Sequence, residues 1–148
     1  MSDEIVSVRL RQHQDYQYDI DFGAGLPALR ADEPPPLGQG TGPSPVQLLA
    51  ASVGNCLAAS LLFALRKFKQ DPKSVDAEVR AEVGRNEQGR LRVLKLEATL
   101  TLGVAGSTLE HLERVLSGFE AYCTVTQSVA AAVPVLVSVQ DSQGVRLK

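Results

Sequence analysis

The chain has 148 residues, of which 44% are hydrophobic and 22% charged, which is typical of one folded domain. With 17 acidic and 15 basic residues the formal net charge is −2, which gives no field to attract nucleic acid or an anionic membrane. Because the sequence has no Trp, 3 Tyr and 4 Phe, aliphatic side chains must build the core, and platforms for base stacking are not expected.

The first residues of the chain, 1–7, lack the basic segment and apolar run of a secretory signal, so we expect a cytoplasmic protein. In that compartment Cys56 and Cys123 are expected to be reduced thiols, catalytic groups or metal ligands rather than a permanent disulfide. The alternative is that both cysteines are unreactive residues of the core.

Two runs of alternating apolar and polar residues, 4–11 and 16–22, predict an antiparallel hairpin that turns at residues 12–14. A third short strand is expected near residues 26–30. Residues 32–43 are rich in Pro and Gly, which excludes a helix or a central strand. This segment is predicted to be a long exposed loop that either links two elements or lines a site.

A helix start follows the loop. Ser44 can cap the helix, Pro45 suits the first helical position, and Gln47 completes a capping box. The helix is predicted to run to about Lys69, and its residues 46–65 carry no charge, which is close to the length of a membrane span. Polar interruptions, frequent alanines and the strands that follow favour a buried helix instead. Because it is apolar on all sides, we expect a second subunit to cover part of it.

Alternation with period two returns in residues 75–83 and 94–102, with a turn at residues 86–89 between them. This pattern predicts a long hairpin with one face in solvent. The segment Ser107-Thr108-Leu109-Glu110 has the form of a second capping box. The helix that it predicts has an apolar face made of Leu109, Leu112, Val115, Leu116 and Phe119.

Cys123 stands directly before a third, short helix, which is predicted to begin at Thr124 and to end near Ala132. Residues 135–140 and 145–147 return to strand. The length and composition predict a single domain over residues 1–148.

Each cysteine has surroundings that suit a functional thiol. The unpaired N–H groups and the dipole of the third helix are expected to favour a Cys123 thiolate and to lower its pKa. A metal site is not expected, because His13 and His111 are not at ligand spacing from a cysteine. Small or slender residues one turn away leave space beside the Cys56 sulfur: Ser52, Val53, Ala59 and Ser60.

Three segments, in this order, resemble the OsmC/Ohr family, which comprises osmotically inducible and organic hydroperoxide resistance proteins. They are Gly40-Thr41-Gly42-Pro43-Ser44-Pro45, Leu48-Leu49-Ala50-Ala51-Ser52-Val53-Gly54-Asn55-Cys56, and Cys123-Thr124-Val125. The resemblance covers essentially the whole chain. It implies an α+β fold and an intertwined homodimer, in which antiparallel sheets wrap around long central helices that carry a cysteine.

The resemblance also implies thiol-dependent reduction of organic hydroperoxides. In such enzymes the first cysteine attacks the peroxide and becomes a sulfenic acid, the second condenses with it to a disulfide, and an external dithiol reopens the disulfide. On this chain the attacking role would fall to Cys56 and the resolving role to Cys123. No bound cofactor is implied.

Two positions depart from the family pattern. Active members have a glutamate directly after the proline that opens the helix, where this chain has Val46, and OsmC-type members have an arginine in the loop, where this chain has Pro36. Arg30 and Gln47 are the nearby candidates for a supporting role, although a neutral amide cannot hold an arginine as a carboxylate does. Without a neighbouring cation, Cys56 is expected to have a raised pKa and to react slowly.

Three interpretations therefore stand side by side. The first is a hydroperoxide reductase that uses Cys56 and Cys123, with a small hydroperoxide and a dithiol reductant as its partners. The second, favoured by Val46 and Pro36, is a redox-sensing or small apolar ligand-binding protein with little or no turnover. The third makes both cysteines part of the core. All three assume a protein that binds neither nucleic acid nor membrane.

Overall fold

The computed structural model describes residues 2–148 and contains two three-stranded sheets and three α-helices. The predicted α+β class is confirmed. The chain divides into a first compact unit, which ends at Leu48, and a second one, Leu49–Lys148. The assignment of residues 1–148 to one domain stays a prediction.

The first unit contains an antiparallel sheet of β1 (Arg9–Gln14), β2 (Gln17–Asp21) and β3 (Leu29–Ala31), in that order. The predicted hairpin is confirmed, but its turn lies slightly later, where Asp15 has a positive φ of 48°. The strand β1 is exposed along its whole length, whereas Ile20 of β2 is buried.

Asp32 organises the loop that follows β3. Its side chain is buried, and its carboxylate accepts hydrogen bonds from the N–H groups of Glu33 (2.8 Å), Gln39 (3.2 Å) and Thr41 (3.1 Å) and from the Thr41 hydroxyl (2.8 Å). Burial raises the pKa of Asp32, but the hydrogen bonds from Thr41, Glu33 and Gln39 outweigh it and bring the pKa to about 2. The loop is thus closed around one carboxylate.

Gly38 allows this closure, because its backbone passes very near the start of the loop. A Cβ atom at this position would lie 2.2 Å from the Glu33 carbonyl oxygen and 2.4 Å from Asp32 Oδ1. No side chain larger than hydrogen fits there without a shift of the backbone. The proline- and glycine-rich segment is therefore a compact, hydrogen-bonded loop rather than a flexible linker.

The helix α1 (Pro45–Lys67) begins with the predicted capping box, which is confirmed. The Ser44 N–H donates to Gln47 Oε1 at 2.9 Å, and the Gln47 N–H donates to Ser44 Oγ at 3.2 Å. The helix ends two residues earlier than expected. Its length and composition would also allow a membrane span, but core helices of soluble proteins can have the same length and composition.

The second unit contains the sheet β4–β5–β6. The strands β4 (Val75–Arg85) and β5 (Leu91–Leu102) form the long antiparallel hairpin, as predicted, and β6 (Val135–Gln140) pairs with β5 in parallel. The final strand predicted at residues 145–147 is wrong, because the chain there makes a single bridge, between Gln140 and Arg146.

The core of the second unit lies between α1 and this sheet. Gly54 permits the close approach of the two elements, since a Cβ atom there would lie 2.8 Å from Val79 Cγ2. On the opposite side of the helix Phe63 is 69% exposed. The buried positions of α1 recur every three or four residues: Ala50, Val53, Gly54, Leu57, Leu61 and Leu65.

The helix α2 (Leu112–Gly118) begins later than predicted, and the capping box at residues 107–110 is wrong. Residues Gly106–Thr108 form a 3₁₀ turn, and His111 precedes the helix with a left-handed φ of 59°. The reason is tertiary, because the Glu110 N–H donates to Gln70 Oε1 (2.8 Å), far away in the sequence. The predicted apolar face is nonetheless inward: Val115, Leu116 and Phe119 are buried.

Candidate functional site

Both cysteines belong to the second unit and are free thiols. Cys56 lies near the middle of α1 and is partly exposed. Cys123 lies between a 3₁₀ turn, Phe119–Tyr122, and α3 (Thr124–Ala130), and it is fully buried in the core. The two thiol groups are close enough for each to shift the pKa of the other.

Four uncharged donors face the Cys56 sulfur: the Cys123 thiol, the N–H groups of Val125 and Thr126, and the Ser60 hydroxyl. Val125 and Thr126 belong to the first turn of α3, where N–H groups have no acceptor within the helix. Burial raises the pKa of Cys56, but these hydrogen bonds outweigh it, so that the pKa lies below its ordinary value. The expectation of a raised pKa at Cys56 is therefore wrong, because the site supplies neutral donors in place of a cation.

Cys123 has the opposite tendency. Burial raises the pKa of its thiol, and the adjacent Cys56 sulfur raises it further, which together outweigh the hydrogen bonds from Thr126. The expected lowering at the start of α3 is also wrong. Cys123 is the N-cap residue of α3, and it shares the Thr126 N–H with Cys56, whereas the Val125 N–H faces Cys56.

The Cys123 side chain has a defined partner in Thr126. Its S–H group lies 2.9 Å from Thr126 Oγ1 and donates to it. A thiol has only one proton, so Cys123 can give this hydrogen bond either to Thr126 or to a Cys56 thiolate. The pair thus joins a partly exposed thiol whose pKa is lowered to a buried thiol whose pKa is raised. Such a pair can carry out nucleophilic attack followed by disulfide formation.

The two residues proposed for a supporting role, Arg30 and Gln47, have partners within the first unit. The Arg30 guanidinium pairs with both carboxylate oxygens of Asp19, at 2.9 and 3.1 Å, across β2 and β3. The Gln47 side chain accepts the Ser44 N–H in the capping box. Their supporting role in thiol chemistry stays a prediction.

Ser60 and Thr126 are site residues whose roles the sequence did not reveal. Ser60 was predicted only as a small neighbour of Cys56, although a hydroxyl one helical turn after a cysteine is within reach of its sulfur. Thr126 is three residues after Cys123 in the predicted helix start, a spacing that brings a side chain back to the N-cap residue. In residues 2–148 no group of three or more His, Cys, Asp or Glu is placed to hold a metal ion.

Comparison with known proteins identifies the family of the chain. Residues 38–138 match the family of OsmC-like proteins, which is more than half of the chain. The chain belongs to the OsmC-like family. No curated protein sequence matches this OsmC-like chain.

Solved structures share the fold of this OsmC-like protein at low sequence identity. An OsmC-like protein from Vibrio cholerae is 18% identical, with a TM-score of 0.77 over 95% of this chain and 100% of the other. An organic hydroperoxide resistance protein from Legionella pneumophila is 19% identical (TM-score 0.69; 93% and 99% covered). The organic hydroperoxide resistance protein OhrB of Bacillus subtilis is 16% identical (TM-score 0.67; 93% and 98% covered). At these identities the likeness establishes the fold alone.

Proposed function

We propose that this OsmC-like protein reduces organic hydroperoxides, with Cys56 as the attacking thiol and Cys123 as the resolving thiol. The observation that carries the proposal is the pair of facing thiols, in which Cys56 is the more exposed and has a lowered pKa. Thiolate character and access are what a nucleophilic cysteine requires. Relatives of the same fold from Legionella pneumophila and Bacillus subtilis are named organic hydroperoxide resistance proteins, which supports this choice of substrate.

The reaction begins when the Cys56 thiolate attacks one oxygen of the hydroperoxide. The O–O bond breaks, the alkoxide takes up a proton and leaves as an alcohol, and Cys56 becomes a sulfenic acid. The Cys123 sulfur then attacks the Cys56 sulfur. An S–S bond forms, the S–O bond breaks, and the leaving hydroxide takes the Cys123 proton to give water. An external dithiol reduces the disulfide by two exchange steps and is itself oxidised.

The donor set also bears on the rate. Pro36 and Val46 stand where other members have an arginine and a glutamate, and the donors that face Cys56 are uncharged. Hydrogen bonds from charged groups are roughly twice as strong as those from neutral groups. We therefore expect this chain to turn over more slowly than members that have both charged residues.

We propose that the working form is a cytoplasmic homodimer. The face of α1 opposite its core stripe is uncovered in the single chain, and it is made of small or apolar residues rather than charged ones. It includes Ser52, Asn55, Ala59 and Phe63, of which Phe63 is 69% exposed. An apolar helix face of this kind needs a covering surface, and a second copy of the chain would supply it. Sedimentation equilibrium would test this proposal, and a monomer at all concentrations would contradict it.

A second candidate function is redox sensing, or the binding of a small apolar ligand, with little or no turnover. The replacement of the charged residues by Pro36 and Val46 favours it. A sensor would form the disulfide between Cys56 and Cys123 with a hydroperoxide, but repeated turnover with a dithiol would be slow or absent. A ligand-binding protein would bind small apolar compounds equally well when Cys56 is replaced by serine.

The decisive experiment compares the consumption of cumene hydroperoxide, with reduced lipoamide as the dithiol, in the wild type and in variants. We expect Cys56→Ser to lower the rate to that of the reaction without protein. Cys123→Ser should reduce hydroperoxide once per chain and then stop as the sulfenic acid in the absence of dithiol. The matched control is Ser128→Ala, since Ser128 is exposed on α3 and its hydroxyl bonds only to the Thr124 carbonyl (2.9 Å). Equal rates in the wild type and Cys56→Ser would remove the enzymatic proposal.

A further inference from the structure

We infer that Thr126 governs the resolving step: its hydroxyl holds the Cys123 sulfur in position and stabilises the charge on that sulfur as it attacks oxidised Cys56. The inference rests on the proposed function, because it concerns a step of that reaction. It assigns a role to a residue outside the cysteine pair.

Thr126 is the residue that contacts both sulfurs. Its side chain is buried, with 3% exposure, and Oγ1 lies 2.9 Å from the Cys123 sulfur. Its backbone N–H faces the Cys56 sulfur. The backbone N–H also faces the Cys123 sulfur, so a substitution of the side chain removes the hydroxyl contact with Cys123 and leaves the backbone N–H beside both sulfurs.

The backbone on either side of Cys123 is fixed by hydrogen bonds. The Cys123 N–H donates to the Glu120 carbonyl at 3.1 Å, and the Gln127 N–H donates to the Cys123 carbonyl at 2.9 Å. The Gln127 side chain also donates to the Glu120 carbonyl at 3.0 Å. Because these bonds hold the main chain, the remaining freedom of Cys123 is rotation of its side chain, and the Thr126 hydroxyl is placed to select one rotamer.

A hydroxyl suits both stages of the reaction, because it can accept one hydrogen bond and donate another. While Cys123 keeps its proton, Thr126 Oγ1 accepts the S–H bond. During the attack on the Cys56 sulfenic acid the Cys123 sulfur loses its proton to the leaving hydroxide, which becomes water. The S–S bond forms as the S–O bond breaks. Before the S–S bond is complete, while the proton is leaving, the Thr126 O–H turns and donates to the Cys123 sulfur, which carries the developing negative charge.

The test uses Thr126→Val, which keeps the branched shape and removes the hydroxyl, and Thr126→Ser, which keeps the hydroxyl. A single turnover with hydroperoxide and no reductant is followed by trapping of the sulfenic acid and by mass spectrometry of the disulfide. We expect sulfenic acid formation in Thr126→Val within about twofold of the wild type, and disulfide formation slower by about tenfold or more, the effect of one lost hydrogen bond to a charged group. Thr126→Ser should restore disulfide formation.

A second measurement does not depend on hydroperoxide chemistry. In the Cys56→Ser background, Thr126→Val should move the pH midpoint of Cys123 alkylation upward, and Thr126→Ser should leave it unchanged. If the wild type forms no sulfenic acid, the proposed function fails, and this titration still decides whether the hydroxyl acts on Cys123.

Three results would overturn the inference. One is equal disulfide rates in the wild type and Thr126→Val. Another is equal slowing of sulfenic acid and disulfide formation in Thr126→Val, which would mark a structural role. The third is an unchanged alkylation midpoint. If Thr126→Val does not fold, as judged by circular dichroism, Thr126→Ala in the same two measurements replaces it.

Discussion

Asp32 in the first unit and Cys56 in the second are both weak acids whose pKa is lowered by uncharged donors, yet they suit different purposes. The Asp32 carboxylate is 2% exposed and is saturated by N–H and O–H groups of its own loop. Cys56 is partly exposed, and one of the donors that face it is itself a thiol. Hydrogen bonds from uncharged donors therefore stabilise a structural carboxylate where the group is buried and fully bonded, and a reactive thiolate where the group remains accessible.

The largest expected effect comes from Gly38→Ala, which would disrupt the loop around Asp32. A Cβ atom 2.2 Å from the Glu33 carbonyl oxygen forces the loop backbone to move away from Asp32. We expect the free energy of unfolding to fall by about 1–3 kcal/mol, measured by urea denaturation. The control is Gly118→Ala, where nothing lies within 4 Å of the added atom and φ is −125°. Equal stability of the two variants would contradict the account of the loop.

A smaller effect is expected from the titration of Asp32. Its folded pKa of about 2 lies below the ordinary value of 3.8, so the ionised carboxylate stabilises the fold above pH 3.8, and this contribution is lost as the pH falls through 2. Asp32→Asn should lower the melting temperature at neutral pH and reduce its decline between these two pH values. Thermal melts of Asp76→Asn, which changes an exposed carboxylate of β4, provide the control. The same acid decline in both variants would contradict the prediction.

The smallest expected effect concerns the hydrogen-bond donors that face Cys56. Ser60→Ala removes one of the donors that face Cys56, so the pKa of Cys56 should rise and less thiolate should be present at neutral pH. We expect alkylation by iodoacetamide, in a Cys123→Ser background, to slow by less than about tenfold, because other donors remain. Ser128→Ala should not change the rate. A faster reaction in Ser60→Ala would show that the hydroxyl opposes ionisation.

The sequence predicted those parts of the fold that local interactions determine. The alternation of β4 and β5 and the reciprocal bonds of Ser44 and Gln47 depend on neighbours along the chain, and these predictions are confirmed. The capping box at residues 107–110 has the same local form and is wrong, because Gln70 takes the Glu110 N–H. Local pattern cannot reveal a competing partner forty positions away.

The same distinction between local and tertiary interactions explains why the pKa shifts of the two cysteines were not predicted. The sequence indicated that the two residues form one site, but it assigned the pKa directions the wrong way round. The N–H groups of Val125 and Thr126 are adjacent to Cys123 in sequence, yet in space both face Cys56, and only that of Thr126 also faces Cys123. The packing of α1 against α3 determines which sulfur the N–H groups of the first turn face. This packing cannot be inferred from the periodicity of the sequence.

The measurement that tests the central claim most directly compares the pH at which each cysteine ionises. Cys123→Ser leaves Cys56 as the only thiol and keeps a hydroxyl donor beside it, and Cys56→Ser leaves Cys123 alone in the core. Ultraviolet absorbance of the thiolate is followed across a pH titration of both variants. We predict that Cys56 ionises at a lower pH than Cys123. Ionisation of Cys123 at the same or a lower pH would contradict it.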